Sequence, residues 1–311
     1  VFDGTHSVQQ PGGLLKSSGG EREFQDMDSS TKNSLRTLAL NPGDLALQRD
    51  VLARLARSRS AILRALLSYQ SWSEASEEVR ASASELVEVI GGESIRRSSP
   101  VDSICDSPVV AFDHLSTGVQ LILVPGASDA GDLGEFFQSD SLPLLLGRTV
   151  VTQSQYRKDG SRSTMPASGV SWNAARSFLQ NADLRLPTES EWEHCCRGGS
   201  SSRWFWSEEE NPELAARHCW WSGSISEPGP FEVGLLAPNP CGFSDIVGNV
   251  WEWCEDLWTG QFGSPASRVI RGGCWADSLA EMRCDARGSA EPDLEADNIG
   301  FRAARSVFSP L

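Results

Sequence analysis

The sequence predicts an α+β protein in which a helical hairpin precedes a loop-rich domain of short strands and helices. Apolar residues recur at helical spacing between positions 44 and 90, which is typical of amphipathic helices. Beyond position 115 the chain instead combines short apolar runs with many glycines and most of the eleven tryptophans. With 39% hydrophobic and 22% charged residues among 311, the composition is that of a soluble globular chain.

The amino-terminal third divides into three predicted segments. Residues 1–33 contain two Gly-Gly pairs among polar residues and show no apolar periodicity, which predicts a flexible arm. Residues 34–93 form the predicted hairpin, and the Ser- and Pro-containing stretch after it predicts a linker at 94–114. The main domain then covers residues 115–311.

The hairpin consists of two predicted helices. Asp44 is the predicted N-cap of the first helix, which runs over 44–70, and Ser73 caps the second, which ends at Gly91-Gly92. The second helix places the following apolar residues on one face: Val79, Ala83, Leu86, Val87 and Ile90. Because the hairpin carries no catalytic signature, we expect it to act as a tether or an oligomerisation element.

Local patterns predict a few regular elements in the main domain. They are strands over 119–124 and 142–151, helices over 170–181 and from Thr188 onward, and short strands around 269–271 and 300–303. The helix after Thr188 begins with a capping box, since Glu191 follows the threonine by three residues. The rest of the chain from position 200 onward is predicted to be loop.

Charge and cysteine content limit the class of function. A net charge of −15 without a basic cluster repels phosphate backbones and anionic membranes, which disfavours nucleic-acid binding. No apolar run is long enough to span a membrane, and the first twenty residues do not resemble a secretion signal, which predicts a cytoplasmic protein. Eight dispersed cysteines without a CxxC pattern predict free thiols, and four scattered histidines argue against a histidine-based iron or zinc enzyme.

Three segments identify a family resemblance. They are Arg185-Leu-Pro-Thr-Glu-Ser-Glu-Trp-Glu193 with Arg197-Gly-Gly199, Gly242-Phe-Ser-Asp-Ile-Val-Gly-Asn-Val-Trp-Glu-Trp253, and Arg268-Val-Ile-Arg-Gly-Gly273 followed by Asn298-Ile-Gly-Phe-Arg302. Residues 115–306 therefore resemble the formylglycine-generating enzyme, or sulfatase-modifying factor, family. The resemblance implies that family's variant of the C-type-lectin-like fold, an α+β domain with long, internally bonded loops.

The residue types in these segments suit such a loop scaffold. Trp251 and Trp253 can bury large areas, and their indole N–H groups then need acceptors. Arginine and glutamate side chains are natural bidentate partners inside it. The expected pairs join Arg185, Arg271 and Arg302 to Glu189, Glu191, Glu193 and Glu252.

The resemblance also implies oxidation at a copper site, but this sequence lacks the copper ligands. Catalytic family members oxidise a cysteine of a sulfatase-type substrate to formylglycine, using molecular oxygen and a copper(I) ion held by two thiolates. The corresponding positions here hold Asp277 and Met282, so we expect no copper and no catalytic residue. The alternative is an enzyme of this type with a shifted copper site at Cys274 and Cys284. The family's iron-dependent branch carries a histidine-rich helical domain, whereas residues 34–93 contain no histidine.

A third branch of the family is non-catalytic, and it includes retroelement-diversified variable proteins and bacterial sensor or adaptor domains. Such proteins bind through the loop that precedes the Asn298–Arg302 motif, which is here the segment 274–297. We therefore predict a ligand- or protein-binding protein whose partner is a protein, and a basic one because the segment is acidic. The predicted ligand-binding residues are Trp275, Asp277, Leu279, Glu281, Met282, Asp285, Glu291 and Asp293.

A structural calcium ion is a further implication of the resemblance. Family members hold calcium in a loop that corresponds here to Asp245, Gly248, Val250 and Glu252. Two carboxylates and two backbone carbonyls are suitable oxygen ligands for this ion.

Overall fold

A computed structural model of the protein describes residue 75 and the ranges 77–91, 94–98, 109–125, 143–260 and 263–307. The predicted arm at 1–33 and the first predicted helix at 44–70 lie outside the described residues. Among the described residues, no helix combines the length and the apolar character needed to cross a membrane.

Five strands form an antiparallel sheet in the order β1-β2-β3-β4-β9. They are β1 (Ile95–Arg97), β2 (Ala111–His114), β3 (Gln120–Val124), β4 (Leu144–Gly147) and β9 (Ala304–Ser306). β3 and β4 confirm the strands predicted from apolar runs. The run in β3 is continuous because both faces of the sheet are buried: Leu121 and Leu123 pack in one apolar cluster, Ile122 and Val124 in another.

Within the described residues, helix α1 (Glu77–Gly91) precedes this sheet and corresponds to the second helix of the predicted hairpin. Its Ala83, Leu86 and Val87 side chains are buried in the same apolar cluster as Phe112 of β2. The helix therefore shares its core with the first sheet.

The segment 94–114, predicted as a linker, contributes two strands to the first sheet. Ile95 and Ala111 are buried, and residues 95–97 pair with 112–114 in antiparallel register. The prediction is wrong for these residues, because Ile95–Arg97 and Ala111–His114 pair with each other in the sheet although neither contains an apolar run long enough to indicate a strand.

Four further helices begin with side-chain caps. They are α2 (Gln153–Arg157), α3 (Trp172–Gln180), α4 (Glu189–Arg197) and α5 (Pro212–His218), capped by Thr152, Ser171, Thr188 and Asn211 respectively. α3 confirms the helix predicted over 170–181. α4 confirms the predicted capping box, in which the Glu191 carboxylate accepts a hydrogen bond from the Thr188 N–H at 2.8 Å. α5 lies in the stretch predicted as loop.

A second sheet has four strands in the order β7-β6-β5-β8. They are β5 (Trp251–Leu257), β6 (Arg268–Arg271), β7 (Arg287–Ala290) and β8 (Ile299–Phe301), and β5 pairs antiparallel with β6 and parallel with β8. β6 and β8 confirm the short strands predicted there. β5 and β7 were predicted as loop; β5 shows no alternation because all residues from Trp251 to Cys254 are buried, the charged Glu252 included.

Candidate functional site

A buried ion pair lies where the chain passes from β8 in the second sheet to β9 in the first. Arg302 donates to both carboxylate oxygens of Glu252, from Nη2 to Oε1 at 2.7 Å and from Nε to Oε2 at 3.0 Å, and both side chains are essentially inaccessible. Glu252 Oε2 also accepts from the Trp192 indole at 2.9 Å, and Arg302 Nη1 donates to the Gly147 carbonyl at 2.7 Å. The pair ties β5, α4 and the first sheet together, as the sequence predicts for these residues.

A second cluster of charges fixes α4 against β6 and β7. Arg271 is buried and donates to Glu189 at 2.6 Å and to Glu193 at 2.9 Å. Arg287 also binds Glu189, with a shortest distance of 2.5 Å. Burial of the Glu189 carboxyl raises its pKa, but the hydrogen bonds from Arg287 and Arg271 outweigh this and hold the pKa below the ordinary value. These pairs position the start of the segment 274–297.

The remaining predicted interactions are also present. Arg185 binds both oxygens of Glu191, at 2.7 and 2.6 Å. The Trp253 indole donates to the Val170 carbonyl at 2.9 Å, and the Trp251 indole donates to Asp277.

The glycine pair after β6 allows the segment 274–297 to fold back on itself. Gly273 has a φ of 73°, and a Cβ at this position would lie 2.8 Å from the Glu281 carbonyl oxygen. A larger residue would therefore push away the 3₁₀ turn Leu279–Met282 that packs beneath it.

Asp277 links strand β5 to the start of the segment 274–297. Its Oδ2 atom accepts from the Trp251 indole at 2.8 Å, from the Cys274 backbone N–H at 3.0 Å and from the Cys274 thiol at 3.0 Å. Burial, followed by the hydrogen bond to Asp277, raises the pKa of the Cys274 thiol to about 12. The Cys274 thiol is therefore protonated at neutral pH in the absence of a metal ion, and it donates a hydrogen bond to Asp277.

Cys284 has a different partner from Cys274. Its side chain is hydrogen-bonded to the thiol of Cys196 on α4; this bond lowers the pKa of Cys284, while burial raises that of Cys196. Cys284 and Cys274 also belong to different apolar clusters. In the part of the chain that the structure describes, no group of three or more histidine, cysteine, aspartate or glutamate side chains is arranged to hold a metal ion. The contacts of these thiols give the alternative copper site no support.

Two of the predicted ligand-binding residues are inaccessible to a partner. Leu279 is 3% exposed and Met282 is 0% exposed, because both side chains pack into the apolar cluster beneath the 3₁₀ turn. Their inclusion in the binding surface is therefore wrong. Leu279 and Met282 are three residues apart and lie on the buried side of the turn. The sequence alone does not show whether such a pair is buried or exposed.

The other six predicted residues have accessible surface. Trp275, Asp277 and Glu281 are half-buried, and Asp285, Glu291 and Asp293 are exposed. The exposed carboxylates make local contacts: Asp285 with Arg283 at 3.1 Å, Glu291 with Ser267 at 2.9 Å and Asp293 with Asn173 at 2.6 Å.

Asn249 joins this segment to a loop that the sequence did not indicate. This buried residue has a φ of 61°; its backbone carbonyl accepts from the Trp275 N–H at 2.9 Å and its N–H donates to the Trp220 carbonyl at 3.0 Å. Its side-chain amide exchanges hydrogen bonds with the backbone of Phe231 at 2.9 and 3.0 Å. The backbones of Trp220, Phe231 and Trp275 therefore all bind Asn249, and no local spacing signal links these residues.

The predicted calcium ligands fit the ion only in part. One oxygen of the buried Asp245, Oδ1, has no partner among the described residues, and the other accepts from the Gly234 N–H at 2.6 Å. Both oxygens of Glu252, however, are bound by Arg302 and Trp192. A guanidinium in contact with this carboxylate opposes a calcium ion there, so the four residues do not fit calcium as a set.

The fold and the arginine–glutamate framework define a loop-rich, C-type-lectin-like domain of the formylglycine-generating type. The structure of PvdO from Pseudomonas aeruginosa aligns with a TM-score of 0.50 over 62% of this chain and 96% of that chain, at 22% sequence identity, which is a likeness of fold. The model of the sulfatase-modifying factor enzyme 1-like domain matches residues 139–307, more than half of the chain. The chain therefore belongs to this family.

The chain is similar both to formylglycine-generating enzymes and to relatives described as inactive. It is 37% identical over 166 residues to the formylglycine-generating enzyme of Mus musculus, covering 46% of this chain and 45% of that protein. It is 33% identical over 160 residues to the inactive C-alpha-formylglycine-generating enzyme 2 of Bos taurus, covering 47% of this chain and 52% of that protein. The chain thus spans about half the length of these relatives.

Proposed function

We propose that this protein is a non-catalytic binding protein that uses its lectin-like domain to recognise another protein, as a sensor or adaptor would. The observation that carries the proposal is the state of Asp277, which stands where catalytic relatives place the first copper thiol. Its carboxylate is occupied by the indole of Trp251 and by the backbone and thiol of Cys274. The side chain serves to close the loop.

The other thiol positions support the same function. Met282 replaces the second copper thiol and is fully buried, while Cys274 and Cys284 face different partners. Copper(I) prefers soft sulfur ligands, and the two positions that carry its thiols in catalytic relatives hold a carboxylate and a thioether here. The inactive bovine relative is consistent with a family in which the fold persists without the reaction.

The charge of the chain supports a basic partner. The net charge is −15, and Asp285, Glu291 and Asp293 in the segment 274–297 are exposed. Such a surface speeds encounter with a positively charged protein at low ionic strength.

Copper and oxygen measurements test the proposal against the enzymatic alternative. We expect no oxygen uptake above that of a protein-free control, and no conversion of the cysteine to formylglycine, when the protein is incubated with copper(I), a reductant and a sulfatase-type cysteine peptide. We also expect its copper(I) affinity, measured against a competing chelator, to match that of a Cys274→Ser, Cys284→Ser double variant. Stoichiometric tight binding that the double variant loses, together with turnover of the peptide, would overturn the proposal.

A further inference from the structure

We propose that Asn249 is a positioning residue that couples the loop 220–231 to residues 274–278, so that a change in one segment is transmitted to the other. This inference rests on the proposed binding function, and it concerns how the binding surface is held and regulated. It extends that surface beyond the segment 274–297 to a second stretch of the chain.

The coupling depends on a turn formed by Gly248 and Asn249. Both residues have a left-handed backbone, with φ of 76° and 61°. Asparagine is one of the few residues besides glycine that adopt this conformation readily. Asn249 is fully buried, so its amide and its backbone groups bind partners inside the protein.

The backbone of this turn binds both segments. The Asn249 N–H donates to the Trp220 carbonyl at 3.0 Å, and the Trp275 N–H donates to the Asn249 carbonyl at 2.9 Å. The Gly248 N–H donates to the carbonyl of Gly272, in the glycine pair after β6, at 2.8 Å. Packing is close as well, since a Cβ on Gly248 would lie 2.5 Å from the Trp220 carbonyl oxygen. The turn therefore lies between the two segments and is bonded to each of them.

The side chain of Asn249 binds the far end of the loop 220–231. Its Oδ1 atom accepts from the Phe231 N–H at 2.9 Å, and its Nδ2 atom donates to the Phe231 carbonyl at 3.0 Å. The Phe231 ring stacks on Trp220, with centroids 4.3 Å apart and an interplanar angle of 17°. Both ends of the loop are therefore held by the same buried residue.

The two segments also meet directly at the surface. The Ser222 N–H donates to the Asp277 backbone carbonyl at 3.0 Å. Ser222, Ala276 and Ser278 are exposed, so a partner can reach the protein on both sides of this contact. A partner that displaces one segment should therefore act on the other, through this contact and through Asn249.

Amide hydrogen exchange of the full chain, followed by mass spectrometry, tests the coupling without a partner. Asn249→Gly keeps the left-handed backbone accessible but removes both side-chain hydrogen bonds to Phe231. We expect exchange about tenfold faster in peptides that cover 229–233 and about threefold faster in those that cover 273–278. A purely local role of the side chain would change only the first of these regions.

A second variant tests the coupling from the loop. Phe231→Ala removes the stacking on Trp220, and neither ring belongs to the two apolar clusters of the described residues, so the fold should persist. We expect exchange over 273–278 to become about threefold faster in this variant too.

Two controls are matched to these variants. Leu235→Ala removes a side chain that is 62% exposed shortly after the loop, and it should leave both regions unchanged. Asn239→Ala removes another buried amide with four hydrogen bonds, to the backbones of Cys195, Cys196, Cys241 and Phe243. It should accelerate exchange over 241–243 but not over 273–278.

The outcomes separate this inference from the binding function. Unchanged exchange over 273–278 in both Asn249→Gly and Phe231→Ala would overturn the coupling. An equal acceleration there in Asn239→Ala would also overturn it, because the effect would then be a general loosening of the fold. If Asn249→Gly accelerates exchange everywhere, β3 included, Phe231→Ala decides. Turnover of a cysteine peptide would instead overturn the binding function, whatever the exchange rates show.

Discussion

At the scale of single residues, Asp277 has a structural role in the segment 274–297. Three donors converge on one of its oxygens, and they come from β5 and from the residue that follows the glycine pair. A carboxylate accepting several hydrogen bonds can hold together a loop that has no regular secondary structure. The same side chain fixes the backbone next to Trp275.

Replacing Asp277 should therefore destabilise the fold. Asp277→Ala leaves the Trp251 indole and the Cys274 N–H without an acceptor, and we expect the free energy of unfolding to fall by about 2 kcal/mol. Urea unfolding followed by tryptophan fluorescence measures this change. The control Glu295→Ala removes an exposed carboxylate from the same segment and should change the value by less than about 0.5 kcal/mol. Equal stability of the two variants would contradict the role given to Asp277.

At the scale of secondary-structure elements, the central strand β5 depends on the charge it buries. Glu252 faces Arg302 in a pair with 1% and 0% side-chain exposure, so neither charge can be solvated when the other is lost. A buried ion pair is weak support for stability as such, but removing one partner is costly.

The variant Glu252→Gln tests this dependence. It keeps the shape of the side chain but leaves Arg302 uncompensated, and we expect a loss of about 3–5 kcal/mol in the free energy of unfolding. The matched change Glu208→Gln affects a pair with Arg203 in which the side chains are 66% and 64% exposed, and it should cost less than about 0.5 kcal/mol. A loss at Glu252 no larger than at Glu208 would show that the buried charge is not essential.

The sequence predicted those elements whose signal is local. The capping box at Thr188 and the apolar runs of β3 and β4 are complete within a few residues, and the structure confirms them. The sequence did not predict β5 as a strand. Its neighbouring strands β6 and β8 are distant in sequence, and every residue from Trp251 to Cys254 is buried in the folded protein. A strand that is buried on both faces shows no alternation of apolar and polar residues in its sequence.

Some residues of the candidate site were likewise predictable from the sequence, and others were not. The types of residue in the arginine–glutamate pairs were predictable from charge, and Trp275 and Asp277 from their place after the glycine pair. Trp220 and Phe231 were not predictable, because only backbone hydrogen bonds to Asn249 relate them to Trp275. Leu279 and Met282 were assigned to the surface because burial depends on how the 3₁₀ turn packs, which the local sequence does not encode.

At the scale of the whole molecule, α1 and the lectin-like domain share one apolar cluster. Leu86 and Val87 of α1 belong to the same cluster as Trp172 and Trp253, which lie on α3 and β5. Since the cluster is continuous, the helix should contribute to the stability of the whole fold and unfold with it. An independently folding hairpin would instead leave the tryptophans unaffected by changes in α1.

Leu86→Ala separates these two possibilities. Leu86 is 6% exposed, so truncation leaves a cavity in the shared cluster, and we expect a loss of about 2–5 kcal/mol in the free energy of unfolding. The far-ultraviolet dichroism of the helices and the fluorescence of the tryptophans should shift together in one transition, because the cluster joins them. The control Glu77→Ala lies on the exposed side of α1 and should leave both signals unchanged. Two separate transitions, with only the helical signal displaced by Leu86→Ala, would make α1 an independent module attached to the domain.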